Sequence, residues 1–286
     1  MSLEGLQAIL DKKEVVPTVS ADDLKHRPTA VEAGYLRHVR TYLPISRAAE
    51  GGEGQLSVED FEKRLIKQVK EGQVPRGYIT AGYGYGKTTT ALYLWQRAQD
   101  SNLVIVPPFT LAQLSDLLDA TYGWVRYKLT TSRPKLVSAL EEVYGATVNR
   151  SLDQIAQDNG ISAEQAHNLH RRGRLILDIQ PSQYIKFFET ATQIVLEAGF
   201  GGLVVMPDEI QQYFRVKQKE AGEPIAPFFG IIQLLNARAN TADWCFGFVM
   251  VITLEELAQI RDTHRRTDLL HRMKDLQIDL TSLYDR

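Results

Sequence analysis

A single cysteine, Cys245, stands among 286 residues. That scarcity excludes an internal disulfide and any cysteine-rich zinc site. The residue falls in the apolar run Trp244–Ile252, where a free thiol packs as a small hydrophobe. An excess of one charge is missing too. Lys and Arg number 33 against 35 Asp and Glu, for a net charge of -2. No global basic field draws nucleic acid or anionic membrane, so any such binding needs a local patch. No apolar run approaches the roughly 20 residues of a membrane span, and the N-terminus has no signal-peptide core. Internal repeats and low-complexity tracts are absent as well. What remains, 44% hydrophobic and 24% charged, is the composition of a globular protein able to bury a core, in one large domain or two small ones. A cytoplasmic soluble protein is the expectation.

The first part of the chain, residues 1–56, reads as a separate N-terminal segment. It holds a helical piece at Leu6–Lys13, a second amphipathic piece from Ala30 to Tyr42, and a flexible break at Gly51–Gly54. Ser57 then reads as an N-cap, with Asp60 in the capping-box position, and opens a helix through Lys70. From there strands alternate with helices. Tyr78–Thr80 is a strand, Thr88–Gln99 a helix, and Leu103–Val106 a second strand ended by Pro107 and Pro108. Leu203–Met206 and Phe246–Ile252 are the third and fourth strands. Continuous apolar strands suit a parallel sheet buried on both faces. The fifth, Leu276–Leu280, alternates with Gln277 and Asp279 as an edge strand does. Residues 110–198 read as helices throughout, too long for a loop, and are expected to form a helical insertion.

The strongest motif is Ala81-Gly82-Tyr83-Gly84-Tyr85-Gly86-Lys87-Thr88. It fits the P-loop pattern and lies between a strand and a helix, as that motif requires. Glycines let the backbone turn its N–H groups around phosphate oxygens. The helix that follows adds its positive end. Lys87 is placed to reach the β and γ phosphates, and the Thr88 hydroxyl to coordinate magnesium, so the nucleotide-binding stretch runs from Gly82 to Thr89. Tyr83 and Tyr85 are bulky for such a loop; stacking on a ligand and facing solvent are both open.

The third strand runs into Pro207-Asp208-Glu209. Adjacent carboxylates at the C-terminal end of a strand lie where α/β sheets place their ligands. Asp208 is the candidate for the magnesium shell and Glu209 for orienting and deprotonating the attacking water. Pro207 cannot donate a sheet hydrogen bond, so pairing is expected to weaken just before Asp208.

With both motifs in this order, residues 57–286 resemble the additional-strand P-loop ATPases, above all the AAA+ branch and its STAND and origin-recognition-like relatives. That resemblance implies an α/β fold with a five-stranded parallel sheet in the order 5-1-4-3-2, ATP and Mg2+ as cofactors, and assembly into an oligomer or larger complex. It implies a polar γ-phosphate sensor at the end of the fourth strand, for which Thr253 is the candidate. Thr253-Leu254-Glu255-Glu256 is also a capping box, and the two roles are compatible. It implies an arginine before the fifth strand that acts across a subunit interface; Arg272 matches in position, with Arg265 and Arg266 as rivals. It further implies a small helical lid after the fifth strand. The sequence runs only to Arg286, which leaves a longer parent chain or a branch without the lid. The phrase from Tyr83 to Thr88 and the long helical insertion are also similar to ATPases of BREX-type phage-defence systems.

Within the insertion, residues 151–172 carry two capping-box signatures, Ser151 with Gln154 and Ser162 with Gln165, separated by Asn159-Gly160. Leu152, Ile155, Ala156, Ile161, Ala166 and Leu169 fall on inward faces. The stretch resembles bacterial helix-turn-helix DNA readers, whose second helix enters the major groove. That resemblance places Gln165, Asn168 and Arg172 at base edges and His170, Arg171 and Arg174 on phosphates. A plain helical hairpin packed on the ATPase or a partner accounts for the same pattern, because Asp153, Asp158 and Glu164 dilute the positive charge.

Other chemistries find less support. No guanine-reading Asn-Lys-x-Asp follows the fourth strand, and a nucleoside kinase has no need of Glu209 beside Asp208. The histidines show no metal-ligand spacing backed by carboxylates, and His167 with His170 on one helix more often marks a surface. The expected function is an ATP-hydrolysing motor or switch acting on DNA or a protein–DNA complex. The competing expectation is a non-hydrolysing nucleotide-binding scaffold or regulatory subunit of a multi-protein assembly, such as a phage-defence complex.

Overall fold

The computed structural model describes residues 18–41, 56–130, 133–172, 175, 177, 179–210, 212–213, 226–238, 244–262, 271–273 and 275–281. In chain order these form α1 (Ala21–His26), α2 (Pro28–Thr41), α3 (Val58–Lys70), β1 (Arg76–Ala81), α4 (Lys87–Gln99) and β2 (Val104–Thr110). Four helices follow: α5 (Asp116–Thr130), α6 (Pro134–Asn159), α7 (Ala163–Arg171) and α8 (Pro181–Glu197). The remainder is β3 (Leu203–Asp208), α9 (Ala226–Arg238), β4 (Phe246–Thr253), α10 (Leu254–Asp262) and β5 (Leu276–Asp279). The N-terminal helix expected at Leu6–Lys13 and the break at Gly51–Gly54 lie outside the described residues.

The strands form one parallel sheet in the order β2-β3-β4-β1-β5. This is the expected order read from its other edge. All of β3 and all of β4 but Thr253 are buried, whereas β5 alternates buried and half-buried positions at the sheet's edge. Burial on both faces explains why the inner strands are unbroken apolar runs and only the edge strand alternates. Ser57 caps α3, its hydroxyl accepting the Asp60 N–H at 3.1 Å, as the local sequence requires. Among the described residues, no helix is long and apolar enough to cross a membrane.

Two local expectations are corrected. Pro107 and Pro108 do not end β2; the strand continues through them to Thr110, with a register shift against β3 between Val106 and Phe109. The edge position and the irregularity absorb the missing donors. The weakening expected before Asp208 is met on one side only: pairing of β3 with β4 stops at Val205, whereas pairing with β2 continues through Pro207 and Asp208. Ser151 does not open a helix. It is buried inside α6, which runs unbroken from Pro134 and ends at Gly160 in the left-handed conformation. A Ser-x-x-Gln spacing is a cap only where the backbone before it is non-helical, and here the preceding turns are already packed.

The helices between β2 and β3 include part of the sheet's own cover. Helix α5 packs on β2 and β3, α8 packs on β3 and β4, and α6 lies against both α5 and α8. Phe188 of α8 stacks on Phe246 of β4 at 5.2 Å between ring centroids. On the other flank Tyr35, Trp95 and Trp124 meet edge to face, joining α2, α4 and α5.

The described part of the N-terminal segment is welded to the same edge. The Thr110 N–H donates to the Val19 carbonyl, and Ser20 bridges Thr110 in parallel, extending the sheet beyond β2. Lys25 donates to Asp119 at 3.0 Å, and Lys128 and Tyr127 both donate to the Glu32 carboxylate. Gly123 permits the close approach: a Cβ there would overlap the Lys25 backbone. The Tyr35 hydroxyl donates to the Pro108 carbonyl at 2.8 Å.

Candidate functional site

Strand β1 ends at Ala81, and the chain turns through Gly82–Gly86 before α4 begins at Lys87. Gly84 (φ +83°) and Gly86 (φ +78°) hold left-handed conformations that a side chain would resist. These two glycines let the loop turn into α4; the Gly82 N–H donates to Thr281 Oγ1 at 3.2 Å, and a turn of this kind before a helix start suits an anion. Tyr83 is almost wholly exposed at 92%, and Tyr85 lies at the boundary of exposure, its ring beside Gly82.

The Thr88 hydroxyl donates to Asp208 Oδ2 at 2.7 Å. The Glu209 N–H donates to Asp208 Oδ1 at 2.7 Å, so both oxygens of the buried carboxylate are engaged. Burial pushes the Asp208 carboxyl up to about 6; the Thr88 and Glu209 hydrogen bonds and the Lys87 charge pull the other way. Burial also lowers Lys87, against the attraction of Asp208, Glu209, Glu255 and Glu256. The lysine amine donates to the Gly82 carbonyl at 2.9 Å, folded back along its own loop. Glu209 itself takes φ +51°, a left-handed conformation that costs a non-glycine residue free energy.

Strand register completes this end of the sheet. Thr253, the last residue of β4, lies beside Ala81, and its hydroxyl donates to the Glu256 carboxylate. The Glu256 N–H donates back at 3.3 Å, so the anticipated capping box is formed. Lys87, Thr88, Asp208, Glu209 and Thr253 are therefore brought to one end of the sheet. Arg272 is not. It precedes β5, whose first residue Leu276 lies beside Gly77 at the start of β1, at the opposite end. The Arg272 guanidinium carbon lies 6.0 Å from the Phe229 ring centroid. Arg265 and Arg266 lie outside the described residues.

The donor set fits magnesium. A hydroxyl and a carboxylate, both hard oxygen ligands, converge beside a glycine turn of the P-loop pattern, and such ions are held by one or two protein oxygens plus phosphates. Thr88 and Asp208 are the residues that would hold the ion. Among the described residues, no cluster of three or more His, Cys, Asp or Glu forms a metal site.

The second candidate region is the α6–α7 corner. Ser162 and Gln165 form a reciprocal capping box that opens α7, as expected. Leu152, Ala156 and Ala166 are buried, and Ile155, Ile161 and Leu169 half-buried. Arg171 and Arg172 are exposed, and Arg171 donates to the Asn168 side chain. His170 turns its Nδ1 toward the Leu175 carbonyl at 3.4 Å. Gln165 is exposed, with its side-chain oxygen held by the cap, and Arg174 lies outside the described residues.

Two contributors have no motif to announce them. His38 of α2 is buried, with Nε2 at 3.4 Å from Thr89 Oγ1 on the first turn of α4. Asp116 opens α5 and accepts the N–H groups of Ala112 and Gln113, each at 2.8 Å. It thereby shapes the turn whose Leu111 N–H donates to the Asp208 carbonyl at 2.9 Å. The His38 contact joins elements 51 positions apart, whereas Asp116 bonds only three and four positions back, and neither residue belongs to a recognisable spacing.

Comparison with protein-family models finds no match, and comparison with curated proteins finds none either. Among solved structures, the chain is similar to the Aeropyrum pernix ORC2 protein, solved as ADPNP–ADP complexes, with a TM-score of 0.41 and 14% identity. The similarity covers 85% of this chain and 51% of that one, so the chain spans about half its length.

Proposed function

We propose that this protein is an AAA+-like ATPase, a switch or motor that binds and hydrolyses ATP with magnesium. The observation that carries the proposal is the junction of two distant motifs: Lys87 and Thr88 open α4 directly against Asp208 and Glu209 at the end of β3. The loop N–H groups and the α4 N-terminus would grip the phosphates. Lys87 would leave the Gly82 carbonyl for the β and γ oxygens. Glu209 would take the proton from a water as its oxygen attacks the γ phosphorus, the bond to the β-bridging oxygen breaks, and ADP and inorganic phosphate leave. A magnesium ion held by Thr88 and Asp208 would supply charge neutralisation at the phosphates.

Thr253 is proposed as the group that senses the γ phosphate, and Arg272 as an arginine offered to a neighbouring subunit. Its place at the far end of the sheet from its own loop supports a role in trans. Such an arrangement makes hydrolysis depend on a homo-oligomer or a larger complex. The exposed Arg171 and Arg172 at the end of α7 support duplex DNA as the object acted upon. The resemblance of residues 83–88 to BREX-type defence ATPases supplies the setting in which a partner would be sought.

The test is Glu209→Gln. ATP binding should persist while phosphate release falls by about 100-fold or more; unchanged release would refute the assignment. For the DNA arm, Arg171→Ala with Arg172→Ala should weaken duplex binding and lower the log–log salt slope by about 2. A wild type that binds no duplex at low salt would remove DNA from the proposal.

A further inference from the structure

A threonine hydroxyl has one proton to give. In Thr253 that proton is already given to Glu256 Oε2, while the Thr253 N–H donates to the same oxygen at 3.3 Å. Glu256 is buried, 7% exposed, and its N–H returns a hydrogen bond to the Thr253 hydroxyl. The same carboxylate, with Glu255, contributes to the field that holds the Lys87 ammonium. Glu256 therefore acts on two groups that a terminal phosphate beside Ala81 would itself need: the Thr253 proton and the Lys87 charge.

We propose that Glu256 is a positioning residue that competes with the γ phosphate for the Thr253 hydroxyl. This rests on the ATPase reading and assigns that site its means of telling triphosphate from diphosphate. When the site is empty or holds ADP, the hydroxyl caps α10. With a γ phosphate present, the hydroxyl proton turns to the phosphate oxygen, the bond from that hydroxyl to Glu256 is lost, and the Glu256 carboxylate keeps the Thr253 N–H alone. Glu256 thus weakens ATP selectively and converts the presence of one phosphate into a change at a helix end.

The sign of the effect separates this from a structural role. Removing the competitor in Glu256→Ala frees the hydroxyl, and one hydrogen bond gained corresponds to roughly a 5- to 10-fold rise in affinity. Affinities of the β,γ-imido analogue of ATP and of ADP, measured by calorimetry with magnesium, should give a ratio raised by that factor, even though loss of the cap lowers the melting temperature. Glu256→Gln keeps the capping box and the fold but offers a weaker, neutral acceptor, so its ratio should fall between. In a Thr253→Val background the rise should vanish. An unchanged or lowered ratio in both Glu256 variants, or the same rise without the Thr253 hydroxyl, would overturn the proposal while leaving the ATPase reading intact. A wild type that binds neither nucleotide would overturn both.

Discussion

Thr88 and Asp208 lie 120 positions apart in sequence, and a single 2.7 Å hydrogen bond joins them at the end of the sheet. The hydroxyl comes from the first turn of α4 and the carboxylate from the end of β3, so the contact measures whether the two motifs act as one site. Asp208→Asn keeps a side-chain oxygen for the hydroxyl but removes the charge a divalent ion requires. Affinity for ATP should fall at least about tenfold in magnesium and change little in EDTA, since only the metal-dependent part is lost. Equal losses in both media would mean that Asp208 serves packing alone.

Glu209 holds its left-handed backbone at a cost, and the carboxylate it carries is the reason offered for tolerating it. Glu209→Gly should raise the free energy of unfolding by about 0.5–1 kcal/mol, because glycine takes φ +51° without strain. The same substitution should abolish phosphate release. Urea denaturation beside a phosphate assay checks both, and a less stable variant would remove the strain argument.

The weld between the N-terminal helices and α5 depends on a missing side chain. Gly123→Ala forces a methyl group into the Lys25 backbone and should cost about 1–3 kcal/mol. Gly145, within α6, faces open space, so Gly145→Ala should instead stabilise by about 0.5–1 kcal/mol. Opposite shifts in melting temperature for the same chemical change are the expected result.

Asp116 supplies a pH dependence. Burial, with the Asp119 charge adding to it, pushes its carboxyl from the ordinary 3.8 to about 6, against the two backbone N–H donors. The folded state therefore holds more protons than the unfolded chain between these values, and stability falls as pH rises from about 4 to about 6. Two units correspond to about 3 kcal/mol at most, fully felt above pH 6. Asp116→Asn cannot titrate, so the gap between the two proteins should close toward pH 4 and open toward pH 7 in denaturant titrations.

Legibility in the sequence followed the range of the interaction. The glycine turn between β1 and α4, the Ser57 cap, the Thr253 capping box and the alternating edge strand are decided within a few residues, and each was readable. The order of the strands required a resemblance, because nothing local says that β4 lies between β1 and β3. Ser151 misled because the sequence of a cap is present without the backbone break that makes it one. Pro107 and Pro108 misled because an edge strand with a register shift tolerates residues that a central strand would not. His38 beside Thr89 stayed hidden because its partner is brought up by the fold and no spacing in the chain encodes it. Asp116 is an exception to the rule of range: its bonds reach back only three and four positions, but a carboxylate that accepts from the residues before its helix follows no capping pattern.

The central claim is that residues 82–89, together with Asp208 and Glu209, enclose the phosphates of ATP. Calorimetric titration of Mg2+–ATP into the wild type and into Lys87→Ala tests it most directly. The account predicts saturable binding of one nucleotide per chain by the wild type, and at least a tenfold loss when the ammonium is removed. Indistinguishable affinities in the two proteins, or no heat of binding in the wild type, would contradict it.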